Sequence, residues 1–305
     1  MPVFKASGKL LISAEYAVLD GALALAVPCR FGQRLKVDYQ EITDNPQLKW
    51  QALLSDGSTW FSAVYDLKKM ELIESDDIPS ARRLLDIFKK IEILSPGFFS
   101  YKKRNVSCTT QLEFPKDWGL GSSSTLIALL AQFSNTDAFE LNRLSFNTSG
   151  YDVACAFAEK PLFYQLKNDQ RLIETVEFNP DFKDSLFFVH LNQKQDTAKS
   201  VAEIYKNSKP DTDWLNGISA LTFRMQQCQS LTEFEQLIDL HEEMIASKTG
   251  QAKVKSLNFP DYSGSIKSLG AWGGDFVMVT ARENFREYFR SKGYHTILSF
   301  DEMVL

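Results

Sequence analysis

Apolar residues recur at two periods along this chain, and the switches between them mark its elements. Over the first forty residues they alternate as in paired strands, with Leu35, Val37 and Tyr39 of LKVDY on one face, so an early sheet is expected. The period then lengthens. In PSARRLLDIFKKIEIL, residues 79–94, Leu84, Phe88, Ile91 and Leu94 form one helical stripe, opened by Pro79 after acidic residues, which predicts a packing helix. NVSCTTQLEF returns to alternation through Val106, Cys108, Thr110 and Leu112, the loop PKDWGLG follows, and SSSTLIALLAQF reads as a buried helix. A glycine loop therefore joins a strand to a helix.

Further along, PLFYQL and RLIETVEF predict a hairpin through Lys167 to Gln170, and SLFFVHL predicts a buried strand near residues 185–191. Amphipathic helices are expected at 196–206, 214–228 and 231–246. The strand GDFVMVTA, the helix RENFREYFRSKG and the strand YHTILSF close the chain as a β-α-β unit, which predicts a sheet backed by helices on one side. The turn-rich NPDFKD puts a boundary near residue 182, with an N-terminal domain over 1–182 and a C-terminal domain over 183–305. The predicted class is α+β.

Composition narrows the function. With 305 residues, 44% apolar and 24% charged, the chain can bury one large or two modest cores. Its 34 basic and 39 acidic groups leave a net charge of -5 with no dense Lys/Arg block, so nucleic acid is not an expected partner. The cysteines (Cys29, Cys108, Cys155 and Cys228) show no CxxC pair and read as buried thiols in a reducing compartment. No stretch reaches about 18 uninterrupted apolar residues, and MPVFKASGKLLIS lacks a signal-like apolar run. A cytoplasmic protein with no membrane partner is expected. His190, His241 and His295 are scattered, and HEEM at His241 lacks the second histidine of a zinc helix, so any metal is expected to be magnesium.

The glycines carry the candidate chemistry. Of 15, six fall in three short clusters: Gly119 and Gly121, then Gly150, then Gly270, Gly273 and Gly274. Such clusters suit close approach of backbone to a ligand. In GLGSSSTLIALL the glycines can turn N–H groups into one concavity ahead of a helix dipole, which suits phosphate; a serine N-cap is the competing reading. Neither GxxxxGK[ST] nor GxGxxG occurs, which argues against a Walker loop or a Rossmann site. Lys9 lies among Leu10, Leu11 and Ile12, where its ammonium needs an anionic partner or a route to solvent. Glu15 is either a turn carboxylate or a partner for Lys9. Asp152 opens the small-residue stretch Val153–Ala156, as a helix-start acid or as a base.

Taken in order, these segments resemble the GHMP kinases, the superfamily of galactokinase, homoserine kinase, mevalonate kinase and phosphomevalonate kinase. SGKLLISAEYAVLDG resembles the first motif, with Lys9 and Glu15 at its lysine and glutamate. Gly119, Leu120, Gly121, Ser122, Ser123 and Ser124 resemble the phosphate loop. SGYDVACA is similar to the segment bearing the catalytic aspartate, here Asp152 beside Ser149 and Gly150. GAWGGDF resembles the third motif, through Gly270, Ala271, Trp272, Gly273 and Gly274. NQKQDTAKS is similar to a segment leading into a substrate-facing helix, with Thr197 and Lys199 as contacts.

The resemblance implies a two-domain α+β fold with an N-terminal mixed sheet and a C-terminal ferredoxin-like domain, and with ATP and magnesium between the halves. It implies catalytic roles for Lys9 and Asp152 and a magnesium contact at Ser123; the acidic magnesium ligand has no clear counterpart, and Glu140 is the candidate. Trp272 and Thr148 stand where the family usually has glycine. SGYDVACA and KSLGAWGGD most resemble phosphomevalonate kinases, with mevalonate kinases next. The implied function is phosphoryl transfer from ATP to a small-molecule mevalonate-pathway metabolite, phosphomevalonate ahead of mevalonate. Other sugar or amino-acid kinases, and a catalytically silent nucleotide sensor, are the alternatives. A homodimer is compatible with the sequence.

Overall fold

A computed structural model describes residues 1–305 apart from 102, 168–169, 194–210, 271 and 273. Two units assemble from interleaved segments: one from Met1–Gly8, Phe31–Lys116 and Leu120–Phe157, the other from Lys9–Arg30, Asp117–Gly119 and Ala158–Leu305.

Alternation builds the sheet of the first unit. Its strands are β1 (Val3–Leu11), β2 (Ala24–Ile42), β3 (Gln47–Leu53), β4 (Thr59–Asp66), β5 (Glu71–Ser75) and β6 (Arg104–Leu112), with β1 and β2 continuing into the second unit. The order is β5-β4-β3-β6-β2, with β1 also on β2. β3 runs parallel to β6 while β4 with β3, and β2 with β6, are antiparallel, so the sheet is mixed as expected. Its core face carries Leu48, Trp50, Ala52, Phe61, Ala63, Tyr65, Val106 and Cys108. These pack with residues of α1 (Ile78–Leu94) and α2 (Ser122–Ser134), joined by α3 (Ala138–Ser145) and α4 (Tyr151–Phe157).

Asp77 fixes the start of α1 by accepting from the Ser80 N–H at 3.1 Å, with Pro79 in the first turn where no N–H is needed. Leu84, Phe88 and Ile91 are buried as the stripe predicts. Leu35 and Val37 are likewise buried, but Tyr39 is 40% exposed, with the Arg104 guanidinium 5.8 Å from its ring centroid. Phe88 packs against Trp50, Tyr65 and Phe99 at centroid distances of 5.8, 5.3 and 4.9 Å. Phe88→Ala would leave a cavity amid those rings. The expected cost is about 3–5 kcal/mol, read as a lower urea midpoint at unchanged m-value.

In the second unit, β7 (Leu162–Lys167) pairs with the start of β2, and β8 (Gln170–Thr175) returns along β7 as the expected hairpin. The unit's other sheet comprises β9 (Leu186–His190), β10 (Ile266–Ser268), β11 (Phe276–Thr280) and β12 (Ile297–Ser299), in the order β10-β11-β9-β12. β11 and β12 are both antiparallel to β9, so β9 lies between two mutually parallel strands. This split β-α-β arrangement makes the sheet ferredoxin-like.

The helices here are α5 (Thr212–Gln227), α6 (Leu231–Thr249), α7 (Val254–Asn258), α8 (Phe285–Ser291) and α9 (Phe300–Met303). The first two match the expected stretches at 214–228 and 231–246; the one at 196–206 falls outside the described residues. β12 is shorter than YHTILSF suggests because Ser299 and Glu302 form a capping box that starts α9. The four cysteines are buried thiols, none in a disulfide. Among the described residues no helix is long and apolar enough to cross a membrane.

Candidate active site

The start of α2 decides between the two readings of GLGSSS. Its N-cap is Gly121, at φ 88°, and no side chain caps the helix. The Ser124 hydroxyl is turned instead to the Gly121 carbonyl at 2.9 Å, and Thr125 Oγ1 donates to Gln33 Oε1 at 2.7 Å. The first N–H groups of this 13-residue helix therefore lack a side-chain acceptor and, by geometry, an intrahelical one. Ser123 is exposed, and among the described residues its hydroxyl makes no side-chain hydrogen bond. Gly8 seats the preceding residue: a Cβ there would lie 2.8 Å from the Phe31 carbonyl oxygen and 3.0 Å from that of Leu120.

In the second unit Lys9 and Asp275 converge on Gly119. The Lys9 ammonium donates to the Gly119 carbonyl at 2.9 Å, across 110 positions of sequence. Gly119 has φ 67°, and a Cβ on it would stand 2.1 Å from Cγ of Asp275. Asp275 is itself anchored by backbone: its N–H donates to Gln193 at 2.7 Å and its carbonyl accepts from Leu191 at 2.8 Å. Trp118 meets Phe276 edge-on at 5.3 Å, bracing the same loop. Asp275 was not among the sequence candidates, although it directly follows the quoted glycine pair in GAWGGDF.

Asp152 occupies the first turn of α4, after Gly150 at φ 90°. Its Oδ1 accepts from the Val153 N–H at 3.0 Å and lies 3.5 Å from Thr148 Oγ1, which also meets the buried Asn142 amide at 2.9 Å. Thr148 thus steadies the aspartate. Ser149 lies between Thr148 and Gly150 and is half-buried. Glu140, in the first turn of α3, accepts from Arg143 Nε at 2.8 Å. Among the described residues no group of three or more His, Cys, Asp or Glu could hold a metal ion; magnesium commonly binds through one or two protein oxygens together with substrate phosphates. The exposed Ser123 hydroxyl fits that kind of site.

Glu15 lies in a cluster that sequence reading only touched. It is 1% exposed and bonds Lys267, which is itself fully buried. Lys267 also donates to the Ser268 carbonyl at 2.6 Å and sits 3.1 Å from Glu242 Oε1. Glu242 accepts from the Ser268 N–H and hydroxyl at 3.1 and 3.0 Å. Burial pushes the Glu15 carboxyl up to about 7 against the pull of Lys267, with Glu242 adding to the rise. Burial likewise raises Glu242. Burial opposes the charge on Lys267, but the two carboxylates outweigh it and hold the ammonium above its ordinary value.

His241 Nε2 accepts from the Ala14 N–H at 3.0 Å, and burial, reinforced by Lys267, holds the ring neutral well below its usual range. Its 3.5 Å approach to Glu15 is therefore not an ion pair. Lys267, Glu242 and His241 went unassigned in the sequence. The available signal was a lysine between Ile266 and Ser268 in a buried strand, which demands a carboxylate somewhere.

Of the third-motif positions, Gly270 has φ 73°, Gly274 is buried, and Trp272 is 3% exposed with its N–H donating to Tyr16 Oη at 3.0 Å. Ala271, Gly273, Thr197 and Lys199 lie outside the described residues.

No protein-family model matches the chain, and no curated protein matches it. Solved structures do match. Streptococcus pneumoniae phosphomevalonate kinase, in complex with phosphomevalonate and AMPPNP, is 16% identical with a TM-score of 0.70, 98% of each chain being covered. Methanococcus jannaschii mevalonate kinase is 17% identical at TM-score 0.66, over 98% of this chain and 96% of that one. Lactococcus lactis galactokinase, complexed with galactose, is 14% identical at TM-score 0.66, over 99% of this chain and 93% of its own. At such identities the likeness lies in the path of the backbone, and by that path this chain has the GHMP-kinase fold.

Proposed function

We propose that the chain is an ATP-dependent small-molecule kinase acting on a mevalonate-pathway metabolite, with phosphomevalonate the first acceptor to test and mevalonate the second. The observation that carries this reading is the uncapped start of α2 behind two left-handed glycines. Backbone N–H groups left without acceptors at a helix start, backed by the helix dipole, suit phosphate oxygens.

Residues Gly119 to Ser124 hold the nucleotide phosphates. Lys9, already braced on the Gly119 carbonyl, places a cation for charge on the transferred group. Asp152, held by Val153 and Thr148, receives the acceptor's proton. Ser123 would hold magnesium bound with ATP, which would supply neutralisation of phosphate charge.

The direct test incubates purified protein with magnesium-ATP and mevalonate, phosphomevalonate, galactose or homoserine and follows ADP. Acceptor-dependent ADP release, lost in Lys9→Met, is the expected result. ATP binding without turnover of any acceptor would point to a nucleotide sensor instead.

A further inference from the structure

Glu15 sits at the apex of a strained turn whose neighbours have no glycine to ease it. Ala14 has φ 66° and Tyr16 φ 62°, both in the left-handed region, and both are buried. Such conformations persist where surrounding contacts over-determine them. Three contacts do so here. The Ala14 N–H is held by His241, the Glu15 carboxylate by Lys267, and the Tyr16 hydroxyl by the Trp272 N–H. Two of the three holders are close in sequence: Lys267 lies in β10, and Trp272 four residues after β10 ends. The turn is therefore tied to β10 through Lys267 and to the Trp272 backbone through buried polar contacts.

We infer that Lys267 is a positioning residue: by holding Glu15 it locks the Ala14–Tyr16 turn against the segment carrying Trp272, and so sets that segment for the acceptor. The inference rests on the kinase reading for its turnover arm alone. Two carboxylates share this single ammonium, so the cluster is neutral when one of them keeps a proton and carries one negative charge when neither does. Among the described residues, the titratable groups facing Glu15 are Lys267 from β10, Glu242 and His241 from α6, and its neighbour Tyr16. Burial raises Glu15 to about 7 and raises Glu242 as well, with Lys267 between them. Below that pH Glu15 is protonated and accepts from the Lys267 ammonium only as a neutral carboxyl; above it the full ion pair forms.

Selective 15N-tryptophan labelling resolves this without any acceptor. Tyr16→Phe, which removes the oxygen that accepts from Trp272, assigns the Trp272 backbone amide signal. In the wild type that signal is expected to move with a midpoint near pH 7, and to stop moving in Glu15→Gln. A Trp272 amide that is flat across pH 5–9 in the wild type overturns the inference, whatever the turnover assays give.

For the turnover arm, Lys267→Met is expected to lower kcat on the order of 10²-fold while leaving the nucleotide dissociation constant within about twofold. Should the buried carboxylates then unfold the single variant, Glu15→Gln/Glu242→Gln/Lys267→Met removes all three charges together, which buried ion clusters often tolerate. A triple variant that melts like the wild type yet stays slow supports positioning; one that regains both stability and kcat reduces the cluster to packing and overturns it. A wild type inactive with every acceptor defeats the kinase reading, and the amide titration still decides the fate of the turn.

Discussion

Asp152→Asn is expected to lower kcat with mevalonate by about 10²–10⁴-fold, the usual contribution of a positioned general base. Asparagine keeps the volume and an oxygen for the Val153 N–H and the Thr148 hydroxyl, so the start of α4 should survive the change. What it removes is a proton acceptor. The acceptor's chemistry then grades the effect. Mevalonate offers an alcohol, whose proton must leave during transfer, whereas phosphomevalonate offers a phosphate with a second pKa of about 6, already mostly deprotonated at neutral pH. The loss with phosphomevalonate should therefore be smaller, roughly tenfold or less for the proton itself. Steady-state kcat and KM for both acceptors, with a nucleotide titration as control, separate the outcomes. Equal and small losses with both would remove the base from Asp152, and a parallel loss of nucleotide affinity would mean that the substitution had disturbed the loop instead.

How far the fold could be read from residues depended on the distance over which each signal acts. The stripe of α1 and the alternation of β6 are local, and both stand where their periods put them. The alternation Leu48, Trp50, Ala52 and then Phe61, Ala63, Tyr65 is as regular, and every one of those residues is buried. Turn residues mark it too, with Asn45-Pro46 ahead of the first run and Asp56-Gly57 between the two. β10 was beyond pattern reading for a different reason: three residues hold no period.

The site divides along the same line. Glycine reports its own backbone, so Gly119, Gly121, Gly150 and Gly270 could be singled out from residue type alone, and all have positive φ. A lysine reports only that it needs a partner. Lys9 finds a carbonyl 110 positions away and Lys267 a carboxylate 252 positions away, and nothing local to either names which. Glu15 was weighed as a companion of Lys9 because it was near in sequence; its partner Lys267 comes from β10.

Gly119→Ala should separate the loop's two debts, to backbone strain and to its neighbour. At φ 67° any Cβ strains the backbone, at a cost of about 1–2 kcal/mol. Here the new methyl would also lie 2.1–2.4 Å from the carboxylate atoms of Asp275. That side chain cannot swing aside cheaply, since Asp275 is 8% exposed and its N–H and carbonyl are both engaged. The loop must move instead, and with it the Gly119 carbonyl that receives Lys9 and the turn that feeds α2. Losing one charge-assisted hydrogen bond to a phosphate costs about 1.5–3 kcal/mol, so nucleotide affinity should fall roughly 10–10²-fold. Gly57→Ala is the matched control: it too has positive φ, 82°, but nothing lies within 4 Å of its would-be Cβ. It should lose the strain component in a denaturant melt and leave the nucleotide titration unchanged. If both variants melted alike and bound nucleotide alike, the approach of Asp275 to Gly119 would have no bearing on phosphate binding, and the cradle would have to be sought elsewhere.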